Sequence, residues 1–219
     1  MRKDKPEYIN EQLKKFKRFL FENSLSITLI LLFVCFLLGQ YFTGYSTFNA
    51  VQRMYRLPTV NHSQYFKSGH FLDGVFANWQ AAILQLGSLI VFSVFLVQRG
   101  ATPSKEPRKH AKKIKGVKPF KKVRVIIHEN SLSLAFAVLF LIAFYLHVIF
   151  SHKLANHNLE LAHMPTITIG KYFLSANFWF LTLQTWQTEY MAIALYIILS
   201  IFLRQSGSPE SKPTEAKNQ

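Results

Sequence analysis

Two ionisable side chains lie within otherwise apolar stretches of this 219-residue chain. His147 falls in the run 131–150, and Glu189 falls in the run 185–203. An ionisable group in such a stretch is costly without a partner, so each is a candidate for proton or ion handling. If the two runs are antiparallel helices, His147 lies about 24 Å and Glu189 about 21 Å from the same end, which places both at similar depth.

Two glutamines join these groups at comparable height. Gln40 occurs in the run 24–41, and Gln85 occurs in the run 79–97. We therefore predict a candidate intramembrane polar site of Glu189, His147, Gln40 and Gln85, which would be a proton-responsive site or the polar throat of a small pore. The alternative is that these side chains form hydrogen bonds between packed helices and have no further role.

Four runs are long enough to cross a membrane. They lie at about 24–41, 79–97, 131–150 and 185–203, and each holds about 18 to 20 residues with no charged side chain except Glu189. The fourth run is the weakest, because one carboxylate in a spanning helix costs about 2.5–3.5 kcal/mol. With half of its residues hydrophobic, the chain is not of the disordered class. The sequence predicts an all-α membrane protein with four transmembrane helices.

The positive charge predicts the orientation of these helices. Of the 26 Lys and Arg residues, 21 lie before the first run, between the second and third, or after the fourth. Under the positive-inside rule both termini are cytoplasmic, and the connections near 44–78 and 151–184 face outward. We predict a multi-pass protein of the bacterial inner (plasma) membrane.

The basic residues of the central loop are expected to contact membrane lipids. Clusters of Lys and Arg beside a span bind anionic headgroups at about 1 kcal/mol per residue. No nucleic-acid partner is therefore expected. The predicted headgroup contacts on the cytoplasmic face are Lys109, Lys112, Lys113, Lys115, Lys118, Lys121, Lys122 and Arg124.

Amphipathic and aromatic residues predict further contacts with the membrane surface. Ile9, Leu13, Phe16 and Leu20 follow helical spacing with lysines between them, which is typical of a short interfacial helix. Aromatic side chains near the ends of the runs are predicted interfacial anchors; they are Tyr65, Trp79, Tyr172 and Trp186.

The most specific feature of the sequence is an internal repeat. The pentad of residues 22–26 recurs at 129–133, an offset of 107 residues, and the same offset superposes Trp79-Gln80 on Trp186-Gln187. Each copy holds two runs, so the sequence predicts two tandem helical hairpins related by a pseudo-twofold axis along the membrane normal. The predicted segments are a basic amphipathic segment 1–21, repeat 22–105, a basic cytoplasmic linker 106–128, repeat 129–212 and a disordered tail 213–219.

The repeated pentad stands where each odd-numbered run begins. Asn and Ser at a helix start can cap free N–H groups, and a nearby Glu complements the positive end of the helix. The predicted helix-start caps are Glu22, Asn23, Ser24, Glu129, Asn130 and Ser131. An alternative is a paired acidic site at the twofold axis.

At these residues the chain resembles a bacterial family of small four-span membrane proteins classed as a domain of unknown function. The resemblance rests on the repeated pentad, on residues 68–72 followed by Asn78-Trp79, and on Gln98-Arg99-Gly100. The family pattern continues Asn-Trp with an acidic or amide residue, Ser and Glu. The second copy here keeps Glu189, whereas the first has Ala82 in its place. The resemblance implies the fold and a membrane location, but the family has no assigned activity.

No arrangement of residues in the sequence predicts catalysis or a cofactor. The set His157, Glu160 and His163 has helical spacing for a metal, but the first copy has no matching ligands, so no metal site is predicted. We predict a non-catalytic scaffold or accessory membrane protein, with homo-oligomer formation left open. The alternative is a small oligomeric transporter or channel with a polar site in the outer half of the membrane.

Overall fold

The computed structural model describes residues 5–98, 101 and 125–211, and all regular elements within these residues are helices. Seven helices follow one another in this part of the chain, and residues 125–129 are also helical. Their bounds are α1 Lys5–Glu22, α2 Ser24–Met54, α3 His62–Phe66, α4 Gly69–Phe95, α5 Ser131–Leu161, α6 Ile169–Phe173 and α7 Ala176–Phe202.

Three stretches of the described residues are long and apolar enough to cross a membrane. They are α2, the stretch His62–Phe95 that contains α4, and α5. α7 is as long as α4, with 27 residues. Its first half, however, carries Gln184, Gln187 and Glu189, which lower its mean hydropathy. The described part of the protein is therefore all-helical with three helices able to span a membrane, and a fourth span stays a prediction.

The helices continue beyond the predicted spans. α2 and α5 have 31 residues each, which corresponds to about 46 Å at 1.5 Å per residue and exceeds the roughly 30 Å hydrocarbon core. Much of each predicted outward connection is consequently helical, because α2 ends at Met54 and α4 already begins at Gly69. Charged residues mark where an apolar run ends, but they do not stop a helix.

The chain divides into two compact units, the first being residues Met1–Phe66. In this unit, α1 carries exposed apolar side chains, among them Phe16 and Phe19, beside exposed basic ones. The Asn49 side chain ties the end of α2 to the segment before α3, because it donates to the Val60 carbonyl at 3.0 Å and accepts from the Val60 N–H at 2.8 Å.

The second unit, residues Lys67–Gln219, contains most of the buried side chains. α4 packs antiparallel to α5, with Gly69 near Leu154 at one end and Gly87 near Phe136 at the other. A Cβ atom on Gly69 would lie only 2.5 Å from the Leu154 nitrogen, so glycine is needed for this approach. α7 runs parallel to α4 and completes the core of the unit.

The predicted helix-start residues stand where α2 and α5 begin, but their side chains do not form the predicted cap bonds. Asn23 and Asn130 occupy the N-cap positions of α2 and α5 without a side-chain cap bond. Each instead donates from Nδ2 to a carbonyl four residues earlier, at 2.8 Å, because a helical segment continues almost to the cap. The Glu22 carboxylate accepts from Arg18 at 2.6 Å, and Ser24, Glu129 and Ser131 adjoin these positions.

Several predicted residues lie outside the part of the chain that the structure describes. They include all eight predicted headgroup contacts, Lys109, Lys112, Lys113, Lys115, Lys118, Lys121, Lys122 and Arg124, and the tail 213–219. The predicted linker 106–128 is described only from residue 125 onward.

Candidate functional site: a buried polar cluster in the second unit

His147 lies at the centre of a buried polar cluster that joins three helices. Its Nδ1 atom is 2.9 Å from Oδ1 of Asp73 on α4, and its Nε2 atom is 3.2 Å from Oγ1 of Thr182 on α7. The His147 side chain is 2% exposed and the Asp73 side chain 14%. Each imidazole nitrogen thus has a polar partner on a different neighbouring helix.

Aromatic rings enclose the imidazole. The Phe178 ring stacks on His147 with a centroid distance of 5.3 Å and an interplanar angle of 29°, and Phe178 is itself fully buried. Phe144, one turn earlier on α5, contacts both rings. The cluster is therefore shielded from water by rings on α5 and α7, which strengthens its hydrogen bonds.

A second buried pair lies one turn further along α5. The hydroxyl oxygens of Ser151 and Tyr172 are 2.6 Å apart, and both residues are 2% exposed. Burial raises the pKa of Tyr172 above its ordinary value, the hydrogen bond with Ser151 opposes this rise, and the charge of Asp73 adds to it. The short helix α6 is thus fixed to α5 by a neutral phenol.

The order Asp73, His147, Thr182 has the connectivity of an acid, a base and a hydroxyl nucleophile. A nucleophile must also be reachable by a substrate, and Thr182 is 0% exposed. The arrangement nevertheless gives both ring nitrogens a hydrogen-bond partner. When the ring carries a proton only on Nδ1, it donates to Asp73 and accepts from the Thr182 hydroxyl; when it carries both, it donates to both.

The structure brings only some of the sequence-predicted site residues together. Gln85, which is buried, donates from Nε2 to the backbone carbonyl of Glu189 at 3.0 Å. The Glu189 side chain is half-buried on α7, whereas the partners of His147 are Asp73 and Thr182. Gln40 is exposed on α2 in the first unit. A functional role for these four residues stays a prediction.

Sequence reasoning missed Asp73 and Thr182. Asp73 precedes the apolar run 79–97, and Thr182 precedes the run 185–203, so both were assigned to outward connections. Helices α4 and α7 begin about ten residues before those runs and carry both side chains to the level of His147. A helix signal was present, because Ser68 and Ser175 each accept from the N–H three residues later at 3.2 Å, as N-cap residues do.

A further buried bond connects α4 to α7. The Trp186 indole Nε1–H donates to Oε1 of Gln80 at 2.7 Å, and Gln80 is 0% exposed. The role of Trp186 as an interfacial anchor stays a prediction, whereas this role is wrong for Tyr65 and Tyr172, which are 1% and 2% exposed. Both phenols pack inside the protein, because short helices α3 and α6 fold back on α2 and α5.

Within residues 5–98, 101 and 125–211, no group of three or more His, Cys, Asp and Glu side chains is placed to hold a metal ion. His157, Glu160 and His163 lie at the end of α5 or just beyond it. His163 has a φ of 56°, which takes the chain out of the helix and away from regular ligand spacing.

The apolar helices and the closed polar cluster define a helical membrane protein with a small hydrogen-bonded core in its second unit. The chain belongs to the family described as a domain of unknown function, DUF6766, whose model matches residues 16–219. No curated protein and no solved structure matches the chain.

Proposed function

We propose that this chain is a four-span membrane protein built from a duplicated pair of helices. The bounds of the elements support a duplication, since α2 and α5, α3 and α6, and α4 and α7 begin and end 107 residues apart. The amide clamp of Asn49 on Val60 also recurs, as Asn156 on Ile167. By this correspondence α7 takes the place of α4 in the second copy and is the fourth span.

The chain is oriented with both termini in the cytoplasm of a bacterial cell, within the inner membrane. The support is the charge distribution, with 21 of 26 basic residues on one predicted face. Single cysteines at Ser208 and at Arg56, in a Cys35→Ser background, test this orientation. A membrane-impermeant maleimide added to intact cells should label Arg56→Cys and not Ser208→Cys, and the reverse labelling would contradict it.

Within the membrane the protein acts as a non-catalytic scaffold or accessory subunit. One observation carries this proposal: the hydroxyl of the polar cluster, Thr182, is 0% exposed and the imidazole of His147 is 2% exposed. Polar groups that are closed off by one another stabilise helix packing and offer no surface to a substrate. The basic segment between α4 and α5 is then the surface that binds anionic lipid or an acidic partner.

Neutralisation of that basic segment tests the scaffold role. Lysines 109, 112, 113, 115, 118, 121 and 122 are replaced by Gln, and proteins cross-linked to the chain in intact membranes are compared with wild type. We expect the cross-linked partners to be lost at an unchanged level of the protein. Replacing Lys14, Lys15, Lys17 and Arg18 by Gln is the control for charge alone, and retention of partners by the loop variant would refute the role.

A small transporter or channel is the second candidate function. It is favoured by the hydrogen-bonded chain from Asp73 through His147 to Thr182, which crosses three helices in the unit. A proton-coupled role predicts that Glu189→Gln and His147→Ala abolish proton flux in vesicles reconstituted with the full chain. Equal flux in the variants and in wild type would eliminate this candidate.

A further inference from the structure

A cavity lies between α4 and α7, away from the His147 cluster. Its volume is about 280 Å³, and its walls are formed mainly by Leu89, Phe92 and Leu96 together with Ile193 and Ile197. For scale, an apolar cavity of about 150 Å³ is enough to hold one benzene molecule. The cavity is therefore large enough for an extended apolar group.

The polar groups of the cavity are already paired. The hydroxyls of Ser88 and Tyr190 are 2.6 Å apart, and the Gln85 amide donates to the Glu189 carbonyl. These bonds hold α4 and α7 together at one end of the cavity. A ligand that needed hydrogen bonds would have to break them, whereas an apolar chain would leave them intact.

The length of the cavity corresponds to one leaflet of a bilayer. From Gln85 to the end of α4 at Phe95, ten residues rise about 15 Å, which is half of the roughly 30 Å hydrocarbon core. At the end of the cavity away from Gln85, the side chains of Phe92, Leu96 and Val97 are at least half exposed. The cavity is thus open to the lipid at the level of a single acyl chain.

The charge of the sequence that follows the two helices favours an anionic headgroup. Residues 99–124, which follow α4 in the chain, contain eleven Lys or Arg and one Glu, and α7 is followed by Arg204. We propose that the cavity binds one acyl chain of an anionic phospholipid from the leaflet at the C-terminal ends of α4 and α7. The placement of α7 as a span and the naming of that leaflet as cytoplasmic rest on the proposed function.

Filling the cavity tests the proposal. Ile193→Trp places an indole in the cavity, and Leu195→Trp is a matched control because Leu195 is on the same helix, does not line the cavity and is 49% exposed. The delipidated full chain in detergent is titrated with dioleoylphosphatidylglycerol or dioleoylphosphatidylcholine, and bound lipid is counted by native mass spectrometry.

We expect wild type and Leu195→Trp to bind one phosphatidylglycerol, and Ile193→Trp to bind it at least tenfold more weakly. Equal binding by both tryptophan variants would overturn the acyl-chain site, and equal binding of the two lipids would overturn the anionic assignment. If Ile193→Trp does not fold, Leu89→Phe decides by the same criteria. Binding in detergent does not depend on orientation, so a reversed topology in the cysteine experiment leaves this result unaffected.

Discussion

The His147 imidazole and the Asp73 carboxylate form a buried pair across α5 and α4, with 2.9 Å between Nδ1 and Oδ1. Removing one member leaves the other without its partner in a site closed to water. We expect His147→Ala and Asp73→Ala each to lower the free energy of unfolding by about 3 kcal/mol. Thermal unfolding in detergent measures this loss.

A double variant shows whether the two effects share one interaction. Asp73→Ala with His147→Ala should lose much less than the sum of the single variants, because the second substitution removes a group that is already unpaired. Gln40→Ala, at the exposed position 107 residues before His147, is the control and should change stability by no more than about 0.5 kcal/mol. Additive losses would contradict a coupled pair.

The close approach of α4 to α5 at Gly69 gives a second prediction. In Gly69→Ala the new Cβ would meet the Leu154 backbone nitrogen at 2.5 Å, so the helices must move apart. We expect a loss of about 1–3 kcal/mol, typical of overpacking. Gly39→Ala on α2 is the matched control, since its Cβ would meet nothing within 4 Å, and it should stabilise by up to about 1 kcal/mol. Equal melting temperatures for the two variants would show that the approach is not close.

The raised pKa of Tyr172 predicts that the stability of the protein falls at alkaline pH. Because the folded chain holds the phenol proton more tightly than the unfolded chain, Tyr172 contributes stability that is complete below about pH 10 and falls as the pH rises further. The stability of wild type should therefore decline more steeply above pH 10 than that of Tyr172→Phe. A wild-type slope in Tyr172→Phe would refute the prediction.

The bond from Trp186 to Gln80 gives a fourth prediction. Trp186→Phe leaves Oε1 of a fully buried Gln80 without its indole donor, which should cost about 1–3 kcal/mol in addition to the smaller ring. The double variant with Gln80→Leu should recover part of this loss, because no buried acceptor is left. Trp79→Phe, where the ring is 38% exposed, should cost less. No recovery in the double variant would mean that the bond contributes little to stability.

The apolar runs predicted the all-helical fold but not the lengths of its helices. The run 24–41 lies within α2, yet α2 continues to Met54 through Thr43 and Thr47, whose hydroxyls bond to carbonyls of their own helix at 2.7 Å and 3.0 Å. Hydropathy reports the part of a helix that can lie in lipid. The polar extension of the helix carries no such signal.

The residue that pairs with His147 could not be predicted for a related reason. The sequence identified His147 as an unusual side chain, but the estimate of depth paired it with Glu189 rather than Asp73. Asp73 directly follows the motif of residues 68–72 but is not repeated, because the position 107 residues later is Phe180. Which helix faces which in an apolar bundle depends on close approaches such as that of Gly69 to Leu154, and these appear only in three dimensions.

Thr182 has one property that His147 and Asp73 lack. A hydroxyl can change from donor to acceptor by turning about its Cβ–Oγ1 bond, with no movement of a heavy atom. The Thr182 hydroxyl can therefore serve Nε2 of His147 as donor or acceptor while the backbone of α4, α5 and α7 stays in place. The direction of this hydrogen bond is set by hydrogen positions alone, so its reversal would be seen in the vibrational or nitrogen spectrum of His147 and not in a change of conformation.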